Sequence, residues 1–136
     1  TNKMKKIIVI TFLIIISIDG IGQTQSEMNY EQNKSYSNSD DELNAVYKAI
    51  LKEYSTDTVF IEALRTSQRI WIKFRDSELE MKFPDRGNSD YYGSVYPMCK
   101  SSYLERLTKK RVKTLKIWLE GIEEGDVCSG SVKMAR

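Results

Sequence analysis

The sequence predicts an all-α fold: a small helical domain of three main helices, with a long irregular loop between the second and third and one disulfide. Three observations carry that reading. Apolar residues recur at helical spacing in three separate stretches. Both prolines fall between the second and third of them, in a stretch rich in glycine and tyrosine. Two cysteines, Cys99 and Cys128, follow an N-terminal segment that reads as an export signal.

Taken in order, residues 1–22 form the signal peptide. Lys5 and Lys6 precede an apolar run from Ile7 to Ile18, shorter than the ~20 residues a membrane-spanning helix needs. Gly20 and Gly22 place a signal-peptidase cut before Gln23, and Met4 suits the natural start. No cysteine follows the apolar run, so export is expected without a lipid anchor, to a periplasmic or secreted location. In that oxidising setting Cys99 and Cys128 are expected to pair, closing a loop of about 30 residues worth ~3 to 4 kcal/mol in the chain-entropy model.

Residues 23–41 are polar, and Thr24 with Glu27 offers a capping box for a short or frayed helix. The helical domain proper, 42–136, opens with Leu43, Val46, Tyr47, Ile50, Leu51 and Tyr54 on one helical face. Ser39, Asp40 or Asp41 caps that helix unless it runs unbroken from Thr24. Ser55, Thr56 and Asp57 interrupt it and supply an N-cap for the second helix. Its stripe is Ile61, Leu64, Gln68, Trp71, Ile72, Arg75 and Leu79, ending near Lys82.

The stretch from Phe83 to Cys99 reads as the long loop, and loops of that length are usually functional or mobile. A capping box of Ser102 and Glu105 then starts the third helix, whose stripe is Leu104, Leu107, Thr108, Arg111, Leu115, Trp118 and Leu119. Gly121 closes it. A helix of ~28 Å would oblige the tail to double back along it for Cys128 to reach Cys99.

Charge and composition exclude several functions. Of 21 basic and 19 acidic residues, Lys3, Lys5, Lys6 and Asp19 belong to the signal, leaving 18 of each in the other 114 residues. A neutral domain lacks the basic excess of a nucleic-acid binder. The chain has no histidine, no G-x-S-x-G elbow and no phosphate-cradling glycine loop, so it is read as not an enzyme. The acid pairs Asp40–Asp41 and Glu123–Glu124 read as solvated surface. No cofactor and no metal are expected: two cysteines without histidine fall short of a zinc set, and Asp85, Asn88 and Asp90 lack calcium-loop spacing.

Gln68, Arg75 and Arg111 sit where a plain helical hairpin would carry Leu or Ile, and burying them is costly unless they are hydrogen-bonded. With Thr108 and a carboxylate such as Asp76, Glu78 or Glu105 they suggest a polar network joining the second and third helices. That network either fixes register or lines a pocket. Tyr91, Tyr92, Gly93, Ser94 and Tyr96 mark the loop as a partner-binding candidate, since tyrosine gives large contact area at low entropy cost.

The run from Leu64 to Asp76 (L-x-x-S-Q-R-x-W-I-K-F-R-D), Gly93-Ser94, Cys99, and L-T-x-x-R-V-x-x-L from Leu107 to Leu115 together resemble the lysozyme inhibitor LprI-like family, and E-L-N-x-V-Y at Glu42 to Tyr47 adds to the match. The resemblance spans roughly Leu43 to Ser131. It implies a compact helical domain, makes Gln68, Trp71, Arg75, Asp76, Thr108 and Arg111 the family-signature polar set, and implies binding to a lysozyme. Many members carry further cysteines in the first helix and after the R-D pair, where this chain has none and Ser77. The family namesake is a lipoprotein. The expected function is therefore a non-catalytic exported binder that inhibits lysozyme or a related muramidase. The alternative is a cell-envelope binding or structural module with a peptide, glycan or protein partner.

Overall fold

The computed structural model describes residues 23–85 and 89–135. The apolar leader and the cleavage point expected before Gln23 lie, in all but that last residue, outside the described residues. Among the described residues four helices form: α1 (Gln25–Glu53), α2 (Thr58–Lys82), the single turn α3 (Ser89–Tyr92) and α4 (Tyr96–Glu120).

The capping box opens α1 as the sequence suggests. The Thr24 hydroxyl accepts from the Glu27 amide at 3.2 Å, and the Glu27 carboxylate accepts from the Thr24 amide at 2.9 Å. From there α1 continues without a break through Asp40 and Asp41, so these residues sit inside the helix and cap nothing. The Tyr54 amide closes it on the Ile50 carbonyl, and Asp57 caps α2 through the Phe60 amide.

Cross-helix pairs fix the directions of the three long helices. Asn29 meets Ser94, Ser35 meets Glu105 and Glu42 meets Lys116, rising together along both chains, so α1 and α4 are parallel. Phe60 against Trp118, Gln68 against Arg111 and Glu78 against Tyr103 run in opposite order, so α2 is antiparallel to α4. The closest backbone approach is between α1 and α4, where buried Ser39, Ser101 and Thr108 leave room for it.

The core divides along the bundle axis. Leu43, Val46, Ile50, Leu64, Val112 and Leu115 fill one half, flanked by Tyr54, Phe60 and Trp118. Leu79, Tyr103 and Leu104 fill the other, flanked by Tyr36, Phe83 and Leu107.

Three expectations are corrected. The long irregular loop is interrupted: α3 lies within it, and α4 begins at Tyr96, six residues ahead of Ser102. Pro97 suits that first turn because a helix start has no use for its missing N–H. Ser102 and Glu105 are consequently mid-helix, and they do not form a capping box. The disulfide is absent, with Cys99 a half-buried free thiol and Cys128 an exposed one.

The reason is geometric. Cys99 lies on the first turn of α4, and from there to Gly121 the helix rises roughly 33 Å. The tail does not return along that length. It turns back on itself beside Gly121, where Ile122 donates to the Lys133 carbonyl at 3.0 Å and Ala135 to the Ile122 carbonyl at 2.7 Å. Gly121 has φ +85°, and a Cβ there would stand 2.7 Å from the Ala135 nitrogen, so this turn requires glycine.

Candidate functional site

Two groups of residues marked by the sequence come together in space. The first surrounds Trp71 on α2. Arg111 reaches across from α4, donating through Nε to Gln68 Oε1 and through Nη2 to Ser67 Oγ, both at 3.0 Å. Its guanidinium carbon lies 5.8 Å from the centroid of the Trp71 ring, and that of Arg75 lies 5.5 Å from it. One indole thus takes two cations, an arrangement stabilised by the negative potential of its π face.

The two arginines differ in how their charge is met. Arg75 donates through Nε and Nη2 to Asp76 at 3.0 Å and lies 3.6 Å from Asp40 of α1. Arg111 finds neutral partners in Gln68 and Ser67, and burial pulls its pKa below the ordinary arginine value. Burial also raises the Tyr36 hydroxyl above 10.0, Asp40 and Asp76 adding to that and Arg75 opposing it. These links tie α2 to both neighbours.

Thr108 does not join them. It is wholly buried, and its hydroxyl has no hydrogen-bond partner among the described residues. Glu105 serves a different contact: it accepts from Gln32, from Ser35 at 2.8 Å and from Lys109, tying α1 to α4. The Lys109 ammonium, foremost, with the Ser35 and Gln32 donors, holds its carboxyl below the ordinary 4.5 despite partial burial. Glu78 pairs with the Tyr103 hydroxyl at 3.1 Å.

The second group is the tyrosine end. Phe83 packs edge-on against Tyr92 and Tyr96, each at 5.3 Å between centroids, and Tyr92 stacks on Tyr96 at 5.4 Å. Tyr91 adds an edge contact to Tyr92 at 4.8 Å and remains 67% exposed. Gly93 takes φ +68° so that its carbonyl can accept from the Tyr96 amide at 3.1 Å. Asn29 of α1 donates to the Ser94 carbonyl at 2.9 Å and fastens this turn to the bundle. The result is a packed aromatic knob whose most exposed ring is Tyr91.

Two further features were not singled out from the sequence. Tyr54 donates to the Trp118 carbonyl at 3.0 Å and accepts from the Lys133 amide at 3.3 Å, while the Trp118 indole donates to Ser131 at 3.0 Å, so aromatic residues hold the tail. The outward face of α2 exposes Val59, Ile70, Phe74 and Met81. Their spacing was legible as a second stripe, masked by the stronger inward one.

Among the described residues no group of three or more His, Cys, Asp or Glu is placed to hold a metal ion, and no helix is long and apolar enough to cross a membrane. The two groups present an exposed tyrosine ring on a packed turn and a half-buried cation–π stack.

Comparison with known proteins places this geometry. The family model described as lysozyme inhibitor LprI matches residues 20–115, a span that holds α1, α2, both residue groups above and most of α4. An uncharacterized protein of Rhizobium meliloti (strain 1021) is 34% identical over 112 residues, covering 74% of this chain and 77% of the relative. No solved structure matches. With a match across well over half its length, the chain belongs to the lysozyme inhibitor LprI family.

Proposed function

We propose that this protein is an exported, non-catalytic inhibitor of lysozyme or a related muramidase, and that the tyrosine end is the part that enters the enzyme's cleft. Family membership is the observation that carries the reading. The geometry supports the choice of surface. Tyr91 projects from a turn fastened by Asn29 and stacked on Tyr92, Tyr96 and Phe83, so its ring is presented with little conformational freedom left to lose on binding. The signal expected in residues 1–22 would deliver the domain to the compartment where such enzymes act.

The residues after the expected signal carry 18 basic and 18 acidic groups, so electrostatic steering toward a basic lysozyme is weak. Affinity then rests on shape and aromatic burial, as it does at interfaces built around one or two tyrosine anchors. The test is a muramidase assay with purified protein against several lysozyme types. Stoichiometric, saturable inhibition of at least one is expected. Absence of inhibition at high micromolar protein against all of them would overturn the reading, and retention of envelope proteins or glycan without inhibition would favour the envelope-module alternative.

A further inference from the structure

Beside the aromatic knob, α1, α4 and the C-terminal end of α2 border a groove of about 640 Å³. Phe83 and Met98 give it apolar walls, Gln32 closes its α1 side, and Cys99 and Ser102 bring a thiol and a hydroxyl from the first turns of α4. The charged residues that line it among those described, Lys82 and Arg106, are both cations. A cavity of this size, with apolar walls and a few polar groups, is the usual form of a small-molecule site.

The two cations gather about one ring. Lys82 Nζ lies 4.5 Å and Arg106 Cζ 5.0 Å from the centroid of Tyr103. They are therefore within ~10 Å of each other, close enough to repel. The π face holds each cation in place but leaves its charge unneutralised. Among the described residues neither has a carboxylate within ion-pair distance. Glu78, one turn before Lys82, accepts from the Tyr103 hydroxyl at 3.1 Å, and Glu105, next to Arg106 in the chain, accepts from Ser35 of α1 and from Lys109. An anion seated between Lys82 and Arg106 relieves their repulsion. Arg106 offers a planar fork and Lys82 a point charge, a pairing that suits phosphate. A phosphate monoester carries about two negative charges, which two cations neutralise. Phe83 and Met98, on the same groove, suit an apolar body attached to it.

We propose that this groove binds an organic phosphate, its phosphoryl group between Lys82 and Arg106 and its apolar body against Phe83 and Met98. Phe83 also packs on Tyr92 and Tyr96, so the site abuts the knob. The inference is independent of the knob's target and stands whether or not the protein binds lysozyme.

Cys99 lines the groove and reports its occupancy. The test follows alkylation of Cys99 by neutral iodoacetamide in the full chain carrying Cys128→Ser. The probes are phenyl phosphate, inorganic phosphate, phenol, a glutamate peptide and vesicles containing phosphatidic acid. Phenyl phosphate at about ten times its Kd should slow alkylation about tenfold, because only the empty site reacts. Weaker protection by inorganic phosphate is the result expected of a free ligand, and protection by the vesicles without protection by phenyl phosphate would support the same phosphoryl chemistry carried on a lipid. Lys82→Met, a change at an exposed side chain, should abolish protection with helicity unchanged, and Arg106→Lys should weaken it without abolishing it. No protection by any phosphate probe at millimolar concentration, equal protection by phenol, protection indifferent to Lys82→Met, or protection by the glutamate peptide and by no phosphate would each overturn the proposal.

Discussion

The two halves of the bundle are built from different materials. In one, Leu43, Val46, Ile50, Leu64, Val112 and Leu115 form an aliphatic core, and the tail is folded over it by Tyr54 and Trp118. In the other, the aliphatic core shrinks to Leu79 and Leu104 beside Tyr103, and its place is taken by Glu105 with Gln32 and Ser35, by Glu78 with Tyr103, and by stacked rings. On the function proposed above, the difference separates two tasks. Burial of aliphatic surface stabilises strongly but offers a partner nothing to recognise, whereas directional polar contacts and rings stabilise less and set exposed groups at fixed positions.

That contrast is most easily broken in the aliphatic half. Ile50 is 0% and Leu115 2% exposed, so replacing either with alanine should cost about 2–5 kcal/mol in urea unfolding, through lost transfer energy and the cavity left behind. The polar contacts come next. Arg111→Met removes both of its hydrogen bonds and leaves the buried Gln68 amide oxygen short of a donor, which should cost roughly 1–3 kcal/mol. A stability change within error there would show that the stack around Trp71 does not join α2 to α4.

Glu105 sharpens the comparison through pH. Its carboxyl is held below the ordinary 4.5 by Lys109 first, with Ser35 and Gln32 assisting. A depressed folded pKa means that its contribution is fully present above the unfolded value and is lost as pH falls through the folded one. Glu105→Gln should therefore cost about 1–2 kcal/mol at neutral pH, with the deficit closing in acid. The smallest effect is expected at the cysteines. Under native, non-reducing conditions both Cys99 and Cys128 should react with a thiol reagent, exposed Cys128 first, and Cys128→Ser should leave the melting temperature unchanged.

Much of the aliphatic half was legible in the sequence, because its signals are local and periodic. The stripes of the three long helices reappear except at Ile72, which is 40% exposed, and so do the Thr24–Glu27 box, the Asp57 cap and the Gly121 stop. What misled was equally local. Ser102 and Glu105 have the right spacing for a capping box, but α4 starts earlier, at Tyr96–Pro97, and the glutamate is taken by α1. Pairing of the cysteines followed from their number and expected compartment, and neither reports distance. Only the folding of the tail onto itself beside Gly121 puts Cys128 at the far end of α4 from Cys99.

The candidate site was half legible. Gln68, Arg75 and Arg111 announced themselves as polar residues on apolar stripes, yet their use of Trp71 as a common partner depends on how α2 and α4 cross. Thr108 was expected among them and is instead buried, its hydroxyl without a partner among the described residues. Tyr91, Tyr92 and Tyr96 stood out by composition, while Phe83 at the C-cap of α2 and Asn29 on α1, which complete the packing of the knob, were not marked with them.

The central claim is that one half holds the molecule together and the other does its binding. It is tested most directly by measuring urea stability and lysozyme inhibition on the same samples of Tyr91→Ala and Ile50→Ala. The account predicts that Tyr91→Ala keeps wild-type stability and loses inhibition at least about tenfold, as an exposed aromatic anchor should. It predicts that Ile50→Ala is markedly less stable yet, where still folded, inhibits like the wild type. Wild-type inhibition by Tyr91→Ala would contradict it.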